Sequence, residues 1–114
     1  MIAECVFCQI AQRNIPANIL TETATLMAFH DVHPQAPTHL LIIPKAHLPT
    51  VNDLTASTAS LISDMVLLAK ELAASAGLAQ GYRLVMNCGA QAGQSVWHLH
   101  LHLLGGRPMA WPPG

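Results

Sequence analysis

The chain has 114 residues, one domain's worth over 1–114, and a formal net charge of −1, which leaves no electrostatic footprint for nucleic acid or an anionic membrane surface. No run of about 18 or more apolar residues marks a transmembrane helix, and the start "MIAECVFCQI" lacks the basic region and long apolar core of a secretory leader. The three cysteines, Cys5, Cys8 and Cys88, are odd in number and include a C-x-x-C pair, which argues against a disulfide framework and for a reducing, cytoplasmic setting.

Residues 5–13, "CVFCQIAQR", predict a short helix with Phe7 and Ile10 on one side, broken at Pro16. "TLMAFH" (25–30) reads as a strand, "DVHPQAPT" as a turn region opened by Asp31, and "HLLIIP" (39–44) as a buried strand bounded by prolines. "TASTASLISDMVLLAKELAASAG" is the one long helix, with Leu61, Met65, Leu68 and Leu72 at helical spacing and Gly77 as its stop. It is apolar on more than one side. With only 10% charged residues in the chain, against roughly 25% in an average soluble domain, this points to a buried interface, most simply a two-fold homodimer. "YRLVMN" (82–87) is a strand, "CGAQAGQS" a glycine-containing loop, "VWHLHLHLL" the last strand and "GGRPMAWPPG" an irregular tail. Short turns between most strands indicate an α+β fold with an antiparallel sheet.

The last strand carries the chemistry. Side chains alternate along a strand, so His98, His100 and His102 share one face, roughly 7 Å apart per pair, while Leu99, Leu101 and Leu103 enter the core from the other. Three imidazoles so placed fit a solvated polar face, a His-x-His metal clasp, or nucleophilic and acid–base work on a phosphate. The preceding loop favours the phosphate. Gly89 and Gly93 let backbone N–H groups approach an anion, and Gln94 and Ser95 add side-chain donors. No G-x-x-x-x-G-K-[ST] loop is present. Cys5-x-x-Cys8 is by itself half a tetrahedral metal site, or two reduced thiols packed as small hydrophobes.

"HLHLHLL" resembles the His-φ-His-φ-His-φ-φ signature, φ being apolar, of the histidine triad (HIT) family. "AFHDVHPQAPTHLLIIPKAH", "GYRLVMNCGAQAGQSVWHLHLHLLGGRP" and the ending "WPPG" extend the likeness to the nucleotide-binding Hint branch over nearly the whole chain. The resemblance implies a five-stranded antiparallel sheet with a short N-terminal and a long central helix, continued across a two-fold dimer whose tail near Trp111 reaches the partner's site. It implies hydrolysis of purine nucleoside 5′-phosphoramidates to a nucleoside monophosphate, AMP or GMP, and an amine. His100 would be the nucleophile. His102 and the Gln94–Ser95 backbone would hold phosphate oxygens, with Ser95 near the leaving group. His39 would orient the catalytic imidazole, and His98 would complete the triad. Phe7, Ile10, Phe29 and Val32 would wall the purine, Asp31 would hold the ribose, and Asn87 and Gly93 would lie by the sugar and phosphate. A structural zinc would take Cys5, Cys8, His47 and His98; the chemistry itself would need no metal. Hydrolysis of dinucleoside polyphosphates, or a nucleotide-binding interaction module with incidental hydrolysis, are the competing functions. Cys88 receives no role.

Overall fold

The computed structural model describes residues 4–114; residues 1–3, the start of the stretch read for a leader, lie outside it. Five strands form one antiparallel sheet in the order β1-β2-β3-β5-β4: β1 Ile19–Glu22, β2 Leu26–His30, β3 Thr38–Pro44, β4 Tyr82–Val85 and β5 Leu101–Gly105. Helix α1 (Val6–Ala11) and helix α2 (Ser60–Ser75) complete the α+β fold. None of the described helices is long and apolar enough to cross a membrane.

The alternation of apolar residues in the central strands explains the layering. Leu26 and Ala28 of β2, Ile42 of β3, and Leu99 and Leu101 pack with Met65, Leu68 and Ala69 of α2. Leu40 and Leu103 extend that layer toward Ala73 and Leu78. The opposite residues, Met27, Phe29, Leu41 and Ile43, pack with Phe7, Cys8 and Ile10 of α1. Both faces of β2 and β3 are covered, which is why they read as continuous apolar runs.

Several boundaries differ from the sequence reading. Helix α1 ends at Ala11, before Pro16, because the chain turns left-handed at Arg13 (φ 60°). There Arg13 N–H donates to the Ile10 carbonyl and Asn14 N–H to the Gln9 carbonyl, which closes the helix without glycine. Helix α2 begins only at Ser60. Upstream, the Thr58 hydroxyl accepts from Thr55 N–H and the Thr58 N–H donates to the Thr55 carbonyl, a side-chain turn that competes with helix. Its stop is as expected: Gly77 is left-handed (φ 75°), and Leu78 N–H returns to the Ala73 carbonyl. The last strand is shorter than expected. Only Leu101–Gly105 pairs as β5, and His98–His100 run into it as irregular chain. Strand β1 has no counterpart among the elements taken in chain order. It is a half-exposed edge whose Glu22 pairs with Lys45 and Arg13. Those cations hold the Glu22 carboxyl down at about 2, and the charges guard the edge against stray pairing.

After β5 the backbone must pass close to Pro37. Gly106 sits at φ 92°, and a Cβ there would lie 2.9 Å from the Pro37 Cβ. The next residue, Arg107, donates from Nε to the Gln35 carbonyl at 3.0 Å. Gly106→Ala is therefore expected to destabilise the protein by about 1–3 kcal/mol, through backbone strain and the proline contact. Thermal unfolding of the variant beside wild type checks this; an unchanged midpoint would show that the 33–37 turn gives way freely.

Candidate functional site

On the α1 face of the sheet lies a cleft of about 380 Å³. Its walls are Phe7 and Ile10 of α1, Ile15–Ala17, Phe29 of β2 and Leu41 of β3; its polar groups are His30, Asp31, His33, Ser95, His100 and His102. Phe7 and Phe29 meet edge to face at 5.4 Å, and Phe7 meets the His100 ring likewise at 5.2 Å. The same residues are thus core and cleft wall, so the cleft is largely pre-formed. Val32 stands at the rim, 82% exposed. A roomier groove of about 630 Å³ runs between residues 77–83 and 106–109, but no imidazole, thiol or carboxylate lines it. Chemistry, not volume, places the candidate site in the first cleft.

Hydrogen-bond partners sort the histidines by tautomer. His98 is fully buried, and its Nε2 lies 2.7 Å from the Pro44 carbonyl, an acceptor, so Nε2 carries the proton. Its Nδ1 lone pair then faces Cys5 Sγ at 3.3 Å and Cys8 Sγ at 3.5 Å. His100 is the reverse. Its Nδ1 lies 2.7 Å from the His98 carbonyl and must donate, which leaves Nε2 as a bare lone pair on a ring that lines the cleft. His39 accepts at Nδ1 from Gln35 N–H at 3.0 Å, so its proton is on Nε2. That proton points to His102 Nδ1 at 2.9 Å, with Asp31 Oδ2 at 3.4 Å. His102 accepts at Nδ1 and keeps its own proton on Nε2.

His39 was expected to orient the catalytic imidazole, read as His100; its ring contact is with His102. It holds His102, whereas the His100 ring is oriented by the His98 main chain. Electrostatics favour the neutral form of His39 and His102. Burial, then the neighbouring His100 and His39, push His102 down to about 4. Burial also lowers His39, although the Asp31 carboxylate partly opposes it.

The glycine loop behaves differently from expectation. Gly89 and Gly93 take positive φ around a short 3-10 turn, Ala90–Ala92. Gln94 is buried, and its side chain is committed inward: Oε1 accepts from Gly89 N–H, and Nε2 donates to the Pro49 and Val96 carbonyls. It pins the loop and has no amide hydrogen left over for an anion. Ser95 is exposed and lines the cleft. Asn87 and Gly93 are not among the lining residues.

Two clusters have metal-ligand composition. Cys5, Cys8, His47 and His98 bring one donor atom each within 4.8 Å of one another. Their close pairs measure 3.2–3.5 Å: His47 Nδ1 to Cys8 Sγ and to His98 Nδ1, and His98 Nδ1 to both sulfurs. A tetrahedron with metal–sulfur bonds of about 2.3 Å and metal–nitrogen bonds of about 2.0 Å has edges of roughly 3.3–3.8 Å, so the donor set fits an ion. The His98 tautomer also presents a lone pair inward. Asp31, His39 and His102 form the second cluster. Here Gln35 N–H occupies Nδ1 of His39 and leaves a proton on the atom that would have to ligate, so these residues make a hydrogen-bond relay instead.

The Gln35 amide and the Pro44 carbonyl carry no side-chain signal, because both act through the backbone. Ile15 and Ala17, around Pro16, were legible only as apolar residues in a loop.

Comparisons with known proteins agree with this architecture. Residues 12–109 match the HIT domain family. An uncharacterized HIT-like protein of Synechocystis is 49% identical over 114 residues, all of both chains. A HIT family hydrolase from Legionella pneumophila superposes with a TM-score of 0.95 at 53% identity, over 97% of this chain and 100% of that one. A histidine triad nucleotide-binding protein from Candida albicans gives 0.81 at 33% identity, over 96% and 83%. The match over most of its length, including all five strands and the histidine run, places this chain in the HIT domain family.

Proposed function

We propose that the protein is a purine nucleoside phosphoramidate hydrolase that works through a covalent nucleotidyl-histidine. One observation carries the reading: of the two triad rings that line the cleft, only His100 has its proton committed at Nδ1, which leaves Nε2 unprotonated. The related hydrolase and nucleotide-binding protein support the reaction class.

In this reading the purine lies between Phe7, Ile10 and Phe29, with Val32 closing the rim. Asp31 takes the ribose hydroxyls. One Asp31 oxygen already accepts from His33 N–H at 2.8 Å, which fixes the carboxylate at the cleft mouth. His100 Nε2 attacks the α-phosphorus, and a bond forms as the P–N bond breaks. The electron pair leaves with the amine, which takes a proton from solvent relayed by the exposed Ser95. His102, held neutral, donates its Nε2–H to a non-bridging oxygen where charge develops. Water then displaces His100 and releases the nucleoside monophosphate. Gly93 and Gln94 shape the loop that presents Ser95.

The Cys5, Cys8, His47 and His98 set suits a structural Zn2+, which would cross-link α1, the segment after β3 and the triad. A homodimer fits the apolar residues left outward in one copy, Val66 and Leu67 on α2, Tyr82 at the β4 edge and Trp111 in the tail.

Three outcomes follow. Adenosine 5′-phosphoramidate should be hydrolysed by wild type, and His100→Ala should lower kcat/KM by about 10³-fold or more while still binding AMP. A folded, AMP-binding wild type with no turnover would leave a binding module instead. Stability should also fall with acidity. His102 titrates near 4 in the folded chain and about 6.5 unfolded. The unfolded chain takes up protons that the native ring refuses, so this contribution is complete above about pH 6.5 and fades toward pH 4. Urea midpoints at about pH 7.5 and about pH 5 should differ in that direction; a higher midpoint in acid would refute the assignment. Finally, Leu67→Glu should shift a dimeric wild type toward monomer in sedimentation, whereas a monomeric wild type would remove the dimer.

A further inference from the structure

His98 has three separate engagements. Its Nδ1 faces both thiols of the cluster, its Nε2–H is spent on the Pro44 carbonyl, and its main-chain carbonyl receives the Nδ1–H of His100. The other side of that same peptide group is also held. The Leu99 N–H, one peptide with the His98 carbonyl, donates to the Leu48 carbonyl at 2.6 Å. Leu48 follows His47, the second imidazole of the cluster. The peptide plane that orients His100 is therefore clamped at both edges by residues that are, or adjoin, the two imidazole members of the cluster.

We propose that metal occupancy of Cys5, Cys8, His47 and His98 controls the nucleophile: the bound ion locks the His98–Leu99 peptide, and that peptide holds His100 in the tautomer whose Nε2 can attack. The proposal rests on the reading of His100 as the nucleophile. It makes His98 a positioning residue and metal supply a regulator of rate as well as of stability. Phe7, Ile10 and Phe29 have a support of their own in apolar packing, which keeps the cleft walls in place when the ion is removed. The coupling therefore acts on the chemical step and leaves nucleotide affinity alone. Without the ion, the four donors are joined only by thiol–imidazole and imidazole–imidazole contacts of 3.2–3.5 Å. The peptide then gains freedom to tilt, and a misaligned nucleophile costs about 10- to 100-fold in rate.

The test compares Zn2+-loaded wild type, chelator-stripped wild type and His47→Asn. Histidine 15N–1H spectra report the His100 tautomer, calorimetry reports AMP affinity, and single-turnover labelling reports formation of the nucleotidyl-enzyme. Both metal-poor proteins are expected to keep their circular dichroism and AMP affinity. Each should show a mixed His100 tautomer and labelling slowed by about 10- to 100-fold, and Zn2+ alone should restore the stripped wild type. A folded, metal-free protein with a single Nδ1–H tautomer and an unchanged labelling rate overturns the proposal. So does unfolding of both metal-poor proteins, which would make the cluster a device for stability only. If zinc-loaded wild type never becomes labelled yet its His100 tautomer responds to zinc, the hydrolase reading fails and the coupling stands.

Discussion

From His98 to Leu103 every residue must serve one of two opposite faces. The leucines fill the layer against α2, and the imidazoles go to the α1 side, where two of them line a cleft and the third is sealed beneath it. This constraint settles much else. Rings on a buried segment lose water, and a buried imidazole without partners would cost several kcal/mol. Each ring is therefore given acceptors or donors that fix its proton: Pro44 for His98, the His98 carbonyl for His100, and the Gln35 amide acting through His39 for His102. No buried side-chain nitrogen or oxygen among the described residues lacks a partner. Satisfying burial and assigning chemical roles are the same act here, because a ring whose one nitrogen is committed has only the other left to use.

What could be read from the sequence was whatever depends on side-chain periodicity. The two-residue alternation in "HLHLHLL", the doubly apolar "HLLIIP" and the glycine after α2 all led to the right faces. Strand β1 escaped because an exposed edge needs no apolar stripe; its Thr21 and Glu22 look like loop. The start of α2 escaped because Thr55 and Thr58 bond to their own backbone, a competition invisible to periodicity. The site was legible in its members more than in its wiring. His39 was identified but its neighbour was not, since only the strand register shows it opposite Leu104 and its side chain beside His102. Gln94 looked like an anion donor because its amide is chemically suited. Its actual work, bridging Gly89, Pro49 and Val96, depends on three backbone groups that no motif encodes.

The apolar composition also has a consequence for the cleft. In a domain this small the same aromatic residues must build the core and face the ligand. Phe7, Ile10 and Phe29 cannot be changed to suit a ligand without disturbing packing on β2 and β3. That limits how finely the walls can discriminate by shape. It moves the burden of orientation to the few polar groups at one end, Asp31, Ser95 and the two cleft histidines.

Helix α1 is the weak member of this arrangement. It has six residues, and an isolated helix that short does not persist in water. Yet it supplies one whole wall of the cleft. Its stability must come from outside, and it comes at two points. Phe7 and Ile10 are packed against β2 and β3, and the first turn is tied down by Cys5, which caps Cys8 N–H while both sulfurs face His98. The residue that anchors the wall is therefore also the residue whose carbonyl holds the His100 ring. The α1 wall and the His100 ring share one mechanical reference. In a chain with little core to spare, tying both to one buried residue is a direct way to keep the distance between wall and ring constant.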